Sequence, residues 1–242
     1  MTGLPRLYSD LAWTWPIISP PEDYVKESEA YARLIRGRAP SARTLLHLGC
    51  GGGHNDATLK RTFRVTGVDL SEEMLALAGG LNPEAEYVRG DLRDARLLRN
   101  FDAAIALDAL PYMRTEAELL AAFRTAAAHL APGGVFLTCA EFTPDRWKES
   151  IESRVRSRGA VRVTFIEATV DPDPDDTTFE SVFLFLITRG GELEAHTDRH
   201  TNGLFPLETW GRLLREAGFE VEETDVEGVP TFVGVRRGPP QA

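Results

Sequence analysis

Residues 45–53 read LLHLGCGGG. An apolar run that breaks into glycines lets the backbone turn from strand to helix and pass close to a bound ligand. A second apolar run, Val65-Thr66-Gly67-Val68, ends on Asp69, 20 residues beyond Gly49. A carboxylate so placed can accept hydrogen bonds from both hydroxyls of a ribose. A third run, 86–89, leads into Gly90-Asp91-Leu92-Arg93, where a second carboxylate can accept from an adenine amino group. Singly, these features also read as a tight turn, a helix cap and a turn acid. Together they point to a nucleoside ligand. The loop lacks the full Gly-x-Gly-x-x-Gly spacing: the third position is His54 counted from Gly49 and Asp56 counted from Gly51. The missing glycine is the one that permits close packing beside a pyrophosphate. S-adenosylmethionine has no pyrophosphate, so it fits this loop better than NAD does.

These residues need a parallel sheet to hold them. Apolar runs at 44–48, 64–68, 86–89, 101–107 and 135–140 alternate with helical patterns at 54–63, 71 onward and 116–130. That order predicts an α/β fold, a Rossmann-like doubly wound sheet. Ser71 before Glu72 and Glu73 reads as an N-cap with acids near the positive end of a helix. Pro132-Gly133-Gly134 is expected to stop the long helix. Ahead of the core, 4–21 is rich in aromatic residues and proline and reads as an irregular arm; 22–36 is helical and Gly37 is expected to end it. Runs 161–170, 178–188 and 192–200 are β-branched and aromatic, with Gly190-Gly191 between the last two. They predict an antiparallel β insert after the fifth strand. A helix at 207–217 and strands at 219–222 and 231–235 follow. The expected organisation is 1–37 arm and lid helix, 38–141 cofactor-binding core, 142–205 substrate-covering insert and 206–242 completion of the core.

LLHLGCGGG, VTGVDLSEEML, YVRGDLRD, FDAAIALD and HLAPGGVF occur in the order of the class I S-adenosylmethionine-dependent methyltransferase motifs, which this chain resembles. The resemblance implies that Gly49, Gly51 and Gly53 wrap the methionine part and that Asp69 holds the ribose. It implies that Met74 packs near the adenine, that Asp91 and the Leu92 backbone bind the base, and that Leu107 and Asp108 lie near the amine and sulfonium. The two ends, YSDLAW with Glu22-Asp23-Tyr24 and DRHTNGLFPLETWGRLLREAGFEVEE with TFVGV, resemble the N-methyltransferases of nucleotide-linked amino sugars in antibiotic pathways. That family implies an insert that covers the acceptor and a homodimer. Three departures stand out: Trp13 for a tyrosine, Asp108-Ala109-Leu110-Pro111-Tyr112 for Phe-Ser-Ser before Gly-Tyr, and Val229 for an arginine. Each removes a polar partner of a sugar diphosphate, and a flatter, more apolar acceptor is the expectation they raise.

The protein's task in such a reaction is to align a nucleophile and exclude water. Tyr24, Glu141 and His200 are the candidate catalytic groups, the last a base near neutrality. Tyr8, Trp13, Trp15, Asp108 and Tyr112 are the candidate acceptor-binding residues. His54 reads as a cap or a cofactor contact, His47 and His129 as structural, His196 as exposed.

The chain has 242 residues, 43% of them hydrophobic, and a formal net charge of −10. That acidity disfavours nucleic acid and anionic membranes as partners. Two cysteines, Cys50 and Cys139, make no disulfide framework, and no apolar run is long enough to span a membrane. A cytoplasmic location is expected. Asp171, Asp173, Asp175 and Asp176 are interrupted by prolines, so no metal is expected. The predicted function is methylation of a small molecule at nitrogen. The alternatives are C- or O-methylation of an indole or phenol, a non-catalytic cofactor-binding protein and, more distantly, a dehydrogenase.

Overall fold

The computed structural model describes residues 4–238. The central sheet starts with β1 (Thr44–Leu48), β2 (Arg64–Asp69), β3 (Glu86–Arg89), β4 (Phe101–Ala106) and β5 (Leu130–Cys139). Two late strands join it, β10 (Phe219–Val226) and β11 (Val229–Arg236), giving the order β10-β11-β5-β4-β1-β2-β3. All neighbours run parallel except β10 with β11 and β11 with β5. Helices α2 (Val25–Arg38), α3 (Asp56–Leu59), α4 (Glu72–Leu81), α5 (Glu116–Ala128) and α6 (Leu207–Glu216) surround the sheet; α1 (Trp15–Ile18) belongs to the arm.

Parallel strands are covered on both faces, so both sets of alternating side chains are apolar. Leu46, Ala104 and Phe136 pack with Phe123 of α5 and with Trp210 and Leu214 of α6. Leu45, Ile105 and Leu137 face the other way, onto Tyr31 and Ile35 of α2. Ser71 does cap α4, accepting from the Met74 N–H at 3.0 Å.

The structure corrects several expected boundaries. Gly37 lies inside α2, which runs on to Arg38, with a short helical turn (Pro21–Tyr24) ahead of it. The 54–63 helix is one turn long. Pro132-Gly133-Gly134 falls within β5, in a register shift between the Phe101–Leu130 and Ala103–Val135 pairs. The arm folds into the turns Arg6–Tyr8, Ala12–Thr14 and α1.

The insert is a four-stranded antiparallel sheet, β6 (Ser150–Arg158), β7 (Val161–Val170), β8 (Thr178–Arg189) and β9 (Glu192–Gly203). Its first strand was not foreseen. Gly190 and Gly191, at φ of 59° and 87°, make the left-handed two-residue turn that matches hairpin twist. The inner face, with Phe165, Phe183, Phe185 and Ile187, packs on Leu7, Leu11 and Ile18 of the arm and on Met74 of α4. The arm is therefore a layer between insert and core. Where β9 ends, Gly203 has no room for a side chain against the Met113 carbonyl.

Phe136 sits between Phe123 and Phe219, with ring centroids 5.9 and 5.4 Å away. Phe136→Ala is expected to cost about 3–5 kcal/mol, read as a lower urea midpoint with an unchanged slope.

Candidate active site

A cleft of about 580 Å³ opens where β1, β2 and β4 end. Gly49 and Gly51, with φ of 72° and 50°, carry the chain across its floor. The space above Gly51 is open, so its backbone can meet a ligand directly. Asp69 accepts from the Gly51 N–H at 2.8 Å and from the Ser71 N–H at 2.9 Å. Each carboxylate oxygen keeps a free lone pair. Burial raises the pKa of Asp69, and the two N–H groups oppose the shift. The Ser71 hydroxyl also donates to the Tyr8 carbonyl at 2.6 Å, which ties the arm to this loop.

Met74, Leu92 and Asp91 form one side wall. Arg93 holds Asp91 through Nε and Nη2, at 3.0 and 2.6 Å, and keeps the carboxyl below its usual range although burial opposes this. Leu107 and Asp108 close the inner end, and Tyr8, Trp15, Tyr24, Tyr112 and His200 complete the walls. Trp15 stacks on His54 at 5.9 Å, and Tyr24 meets the same ring edge-on at 5.6 Å. Burial drives the His54 pKa down to about 4, and its buried Nδ1 has no hydrogen-bond partner among the described residues.

Three predicted residues stand outside the wall. Gly53 lies beneath the loop, where a side chain would press on Asn82, Ala78 and Tyr87. Trp13 faces outward under the Arg189 guanidinium, 4.6 Å from its ring. Glu141 is reached by water but crowded by protein, and lies within range of other carboxylates. Lost hydration, then the charges of Asp108, Glu167 and Glu27, push it up to about 8. Glu27, pushed up to about 7 by burial and Asp108, accepts from Asn55 at 2.8 Å.

Sequence reasoning missed Glu27, Glu167 and Asp198. Asp198 lies two residues before His200 on β9, so both point to one face; that spacing was the available signal. The His47 ring, read as structural, is buried but also lines the cleft. Its Nδ1 lies 2.8 Å from Asp56, whose other oxygen accepts from Tyr87 at 3.0 Å. His129 bridges Leu97 and the Thr125 carbonyl away from the cleft. His196 is half-buried between Arg6 and Glu194.

A glycine floor, a carboxylate at the end of β2 and a parallel sheet closed by an antiparallel β11 define a class I S-adenosylmethionine-dependent methyltransferase. The methyltransferase-domain family profile matches residues 45–134. The chain is 32% identical over 221 residues to the dTDP-3-amino-3,4,6-trideoxy-alpha-D-glucopyranose N,N-dimethyltransferase of Streptomyces venezuelae, covering 88% of this chain and 92% of that one. It is 31% identical to the dTDP-3-amino-3,6-dideoxy-alpha-D-glucopyranose N,N-dimethyltransferase of Streptomyces fradiae, over 91% and 86% of the two chains. Among solved structures, the sugar N-methyltransferase KedS8 from a Streptoalloteichus species superposes with a TM-score of 0.86 at 28% identity, covering 98% of this chain and 96% of that one. The protein belongs to this family of sugar N-methyltransferases of antibiotic pathways.

Hydrogen bonds to a charged group are worth about 1.5–3 kcal/mol. Asp69→Ala is therefore expected to weaken S-adenosylmethionine binding by roughly 10- to 100-fold, read by calorimetry. An unchanged affinity would show that Asp69 only ties the loops.

Proposed function

We propose that this enzyme methylates the amino group of a nucleotide-linked amino sugar. When bound, S-adenosylmethionine supplies a methyl group already activated by its sulfonium. The cleft suits that cofactor: open glycine backbone, free lone pairs on Asp69, and the apolar flank of Met74 and Leu92. The observation that carries the acceptor reading is Asp108 in the cleft wall, with Glu27, Glu141 and Glu167 outside the wall but within reach of its field or of one another's. Their charges act on one another: Asp108 raises Glu27 and Glu141, and Glu167 also raises Glu141. Crowding by protein also raises Asp108, which water still reaches, and burial raises Glu167. Such a field favours a cationic donor and an amine over a neutral aromatic ring.

The polar partners missing from the sequence have local substitutes. The Arg146 guanidinium donates to the Gly228 carbonyl, next to Val229. Arg114 lines the cleft. Arg114 thus gives the cleft a cation suited to a diphosphate. Tyr24, hydrogen-bonded to Ser19 at 2.7 Å, is the group assigned to orient the acceptor. Its pKa is raised by burial and then by Asp108, so it acts as a neutral phenol. The reading extends to a cytoplasmic homodimer; Ile151 and Val155 stand exposed on the edge strand β6.

The test is product mass after incubation with S-adenosylmethionine and dTDP-linked 3-amino and 4-amino sugars, beside an indole and a phenol. One or two added methyls on a sugar nitrogen are expected. Methylation of the indole or phenol alone would overturn the reading.

The acids also set a pH dependence. At the values of about 7 and about 8 for Glu27 and Glu141, both carboxyls hold their protons at pH 6, and by pH 8 Glu27 has largely released its own and Glu141 is about half ionised. By linkage the ligand-free fold loses stability as pH rises from the ordinary value of 4.5 through the raised values of about 7 and about 8. A sulfonium favours the ionised acids, so S-adenosylmethionine affinity should rise relative to S-adenosylhomocysteine from pH 6 to 8. Titration calorimetry of both ligands checks this, and a constant ratio contradicts it.

A further inference from the structure

Four side chains form one unbroken line of hydrogen bonds from the cleft into the insert. The Tyr8 hydroxyl lies 2.7 Å from the Tyr112 hydroxyl, which lies 2.7 Å from His200 Nδ1. His200 Nε2 lies 2.9 Å from Asp198 Oδ2. That oxygen also accepts from the Leu7 N–H at 2.7 Å. Tyr8, Tyr112 and His200 all line the cleft. His200 is buried, with the Phe183 ring centroid 4.2 Å from its own.

Donor and acceptor chemistry gives the line a direction. An ionised carboxylate only accepts, so His200 carries its proton on Nε2, toward Asp198. A neutral His200 then has a bare Nδ1, which accepts from Tyr112. The Tyr112 oxygen in turn accepts from Tyr8. No group among the described residues donates to the Tyr8 oxygen, whose free lone pair is left for the cleft. With a proton on Nδ1 every bond reverses: His200 donates to Tyr112, Tyr112 to Tyr8, and Tyr8 turns its O–H toward the cleft. The two arrangements differ by one proton.

Resting on the amine reading above, we propose that Tyr8, Tyr112 and His200 form a proton relay for the acceptor nitrogen, with Asp198 as its positioning residue. One N–H bond of the acceptor's ammonium breaks, and its electron pair stays on nitrogen as the lone pair that forms the new N–C bond. The proton passes to the Tyr8 oxygen as the Tyr8 proton passes to Tyr112 and the Tyr112 proton to His200 Nδ1. The imidazolium so formed is held by the Asp198 carboxylate, and no phenolate accumulates. The relay thus needs two phenols as conductors and one imidazole as the store.

The first readout needs no substrate. Nitrogen-15 spectra of histidine-labelled, ligand-free protein should show His200 as the Nε2–H tautomer at high pH; the Nδ1–H tautomer would overturn the relay. The second is kinetic, with dTDP-3-amino-3,4,6-trideoxy-alpha-D-glucopyranose as acceptor. General base catalysis contributes roughly 10²–10⁴-fold, so Tyr112→Phe and His200→Ala should lower kcat on that scale with cofactor affinity unchanged. Added imidazole should restore rate to His200→Ala. Asp198→Ala should move the acid limb of the kcat profile to lower pH, because the imidazolium loses its counter-charge. Wild-type kcat in Tyr112→Phe, or an unmoved acid limb in Asp198→Ala, would overturn the proposal. If wild type methylates no amine, the acceptor reading falls and the relay with it; if it methylates the amine and Tyr112→Phe keeps wild-type kcat, the relay alone falls.

Discussion

The Asp69 carboxylate joins two loops that leave different strands, one hydrogen bond to the Gly51 N–H after β1 and one to the Ser71 N–H after β2. Neither loop has strand partners of its own at that point. The Ser71 side chain extends the tie by capping α4 and by donating to the Tyr8 carbonyl. One carboxylate therefore sets the spacing between glycine floor, helix and arm. Its burial is unfavourable in isolation, and the two backbone donors offset that cost. A group committed in this way still lines the cleft, with a lone pair left on each oxygen.

Around that tie, three parts of the chain close one space. The core contributes the floor and Asp108; the arm contributes Tyr8, Trp15 and Tyr24; the insert contributes His200. The arm can do this because its apolar residues complete a cluster with the inner face of the insert. Without that layer Phe165, Phe185 and Ile187 would face water. Among the acids of these parts, the charge of Asp108 raises both Glu27 and Glu141, so ionising them together is unfavourable.

That the glycine loop, Asp69 and Asp91 would meet at one cleft was legible because they follow chain order: a glycine loop, an acid closing the next strand, an acid after the third. Local spacing is enough to place them. The acceptor half was not, because it depends on contacts between distant segments. Asp198 meets Leu7, and Tyr8 meets Tyr112. Trp13 misled because exposure is a tertiary outcome; its ring turned to Arg189 instead of the cleft. Strand β6, SIESRVRSR, was missed because it is exposed along nearly its whole length and has little apolar alternation. Gly37 is the penultimate residue of α2, so the helix runs one residue past the expected stop, to Arg38. The glycine pair at 190–191 was the reverse case, a turn whose chemistry is wholly local.

The contact between Gly203 and the Met113 carbonyl has a consequence for how such enzymes diversify. The insert resembles a detachable cassette, one continuous stretch carrying a whole sheet. Its final residue nevertheless fits a notch in the core that admits no side chain, a few positions from the histidine that meets Tyr112. Recombining this insert with a relative's core would demand a matched turn at 110–113 as well as matched strands. Novel acceptor ranges are therefore more accessible through changes on the sheet's faces than through wholesale exchange. The junction behaves as a lock on inheritance, passing sheet and turn together.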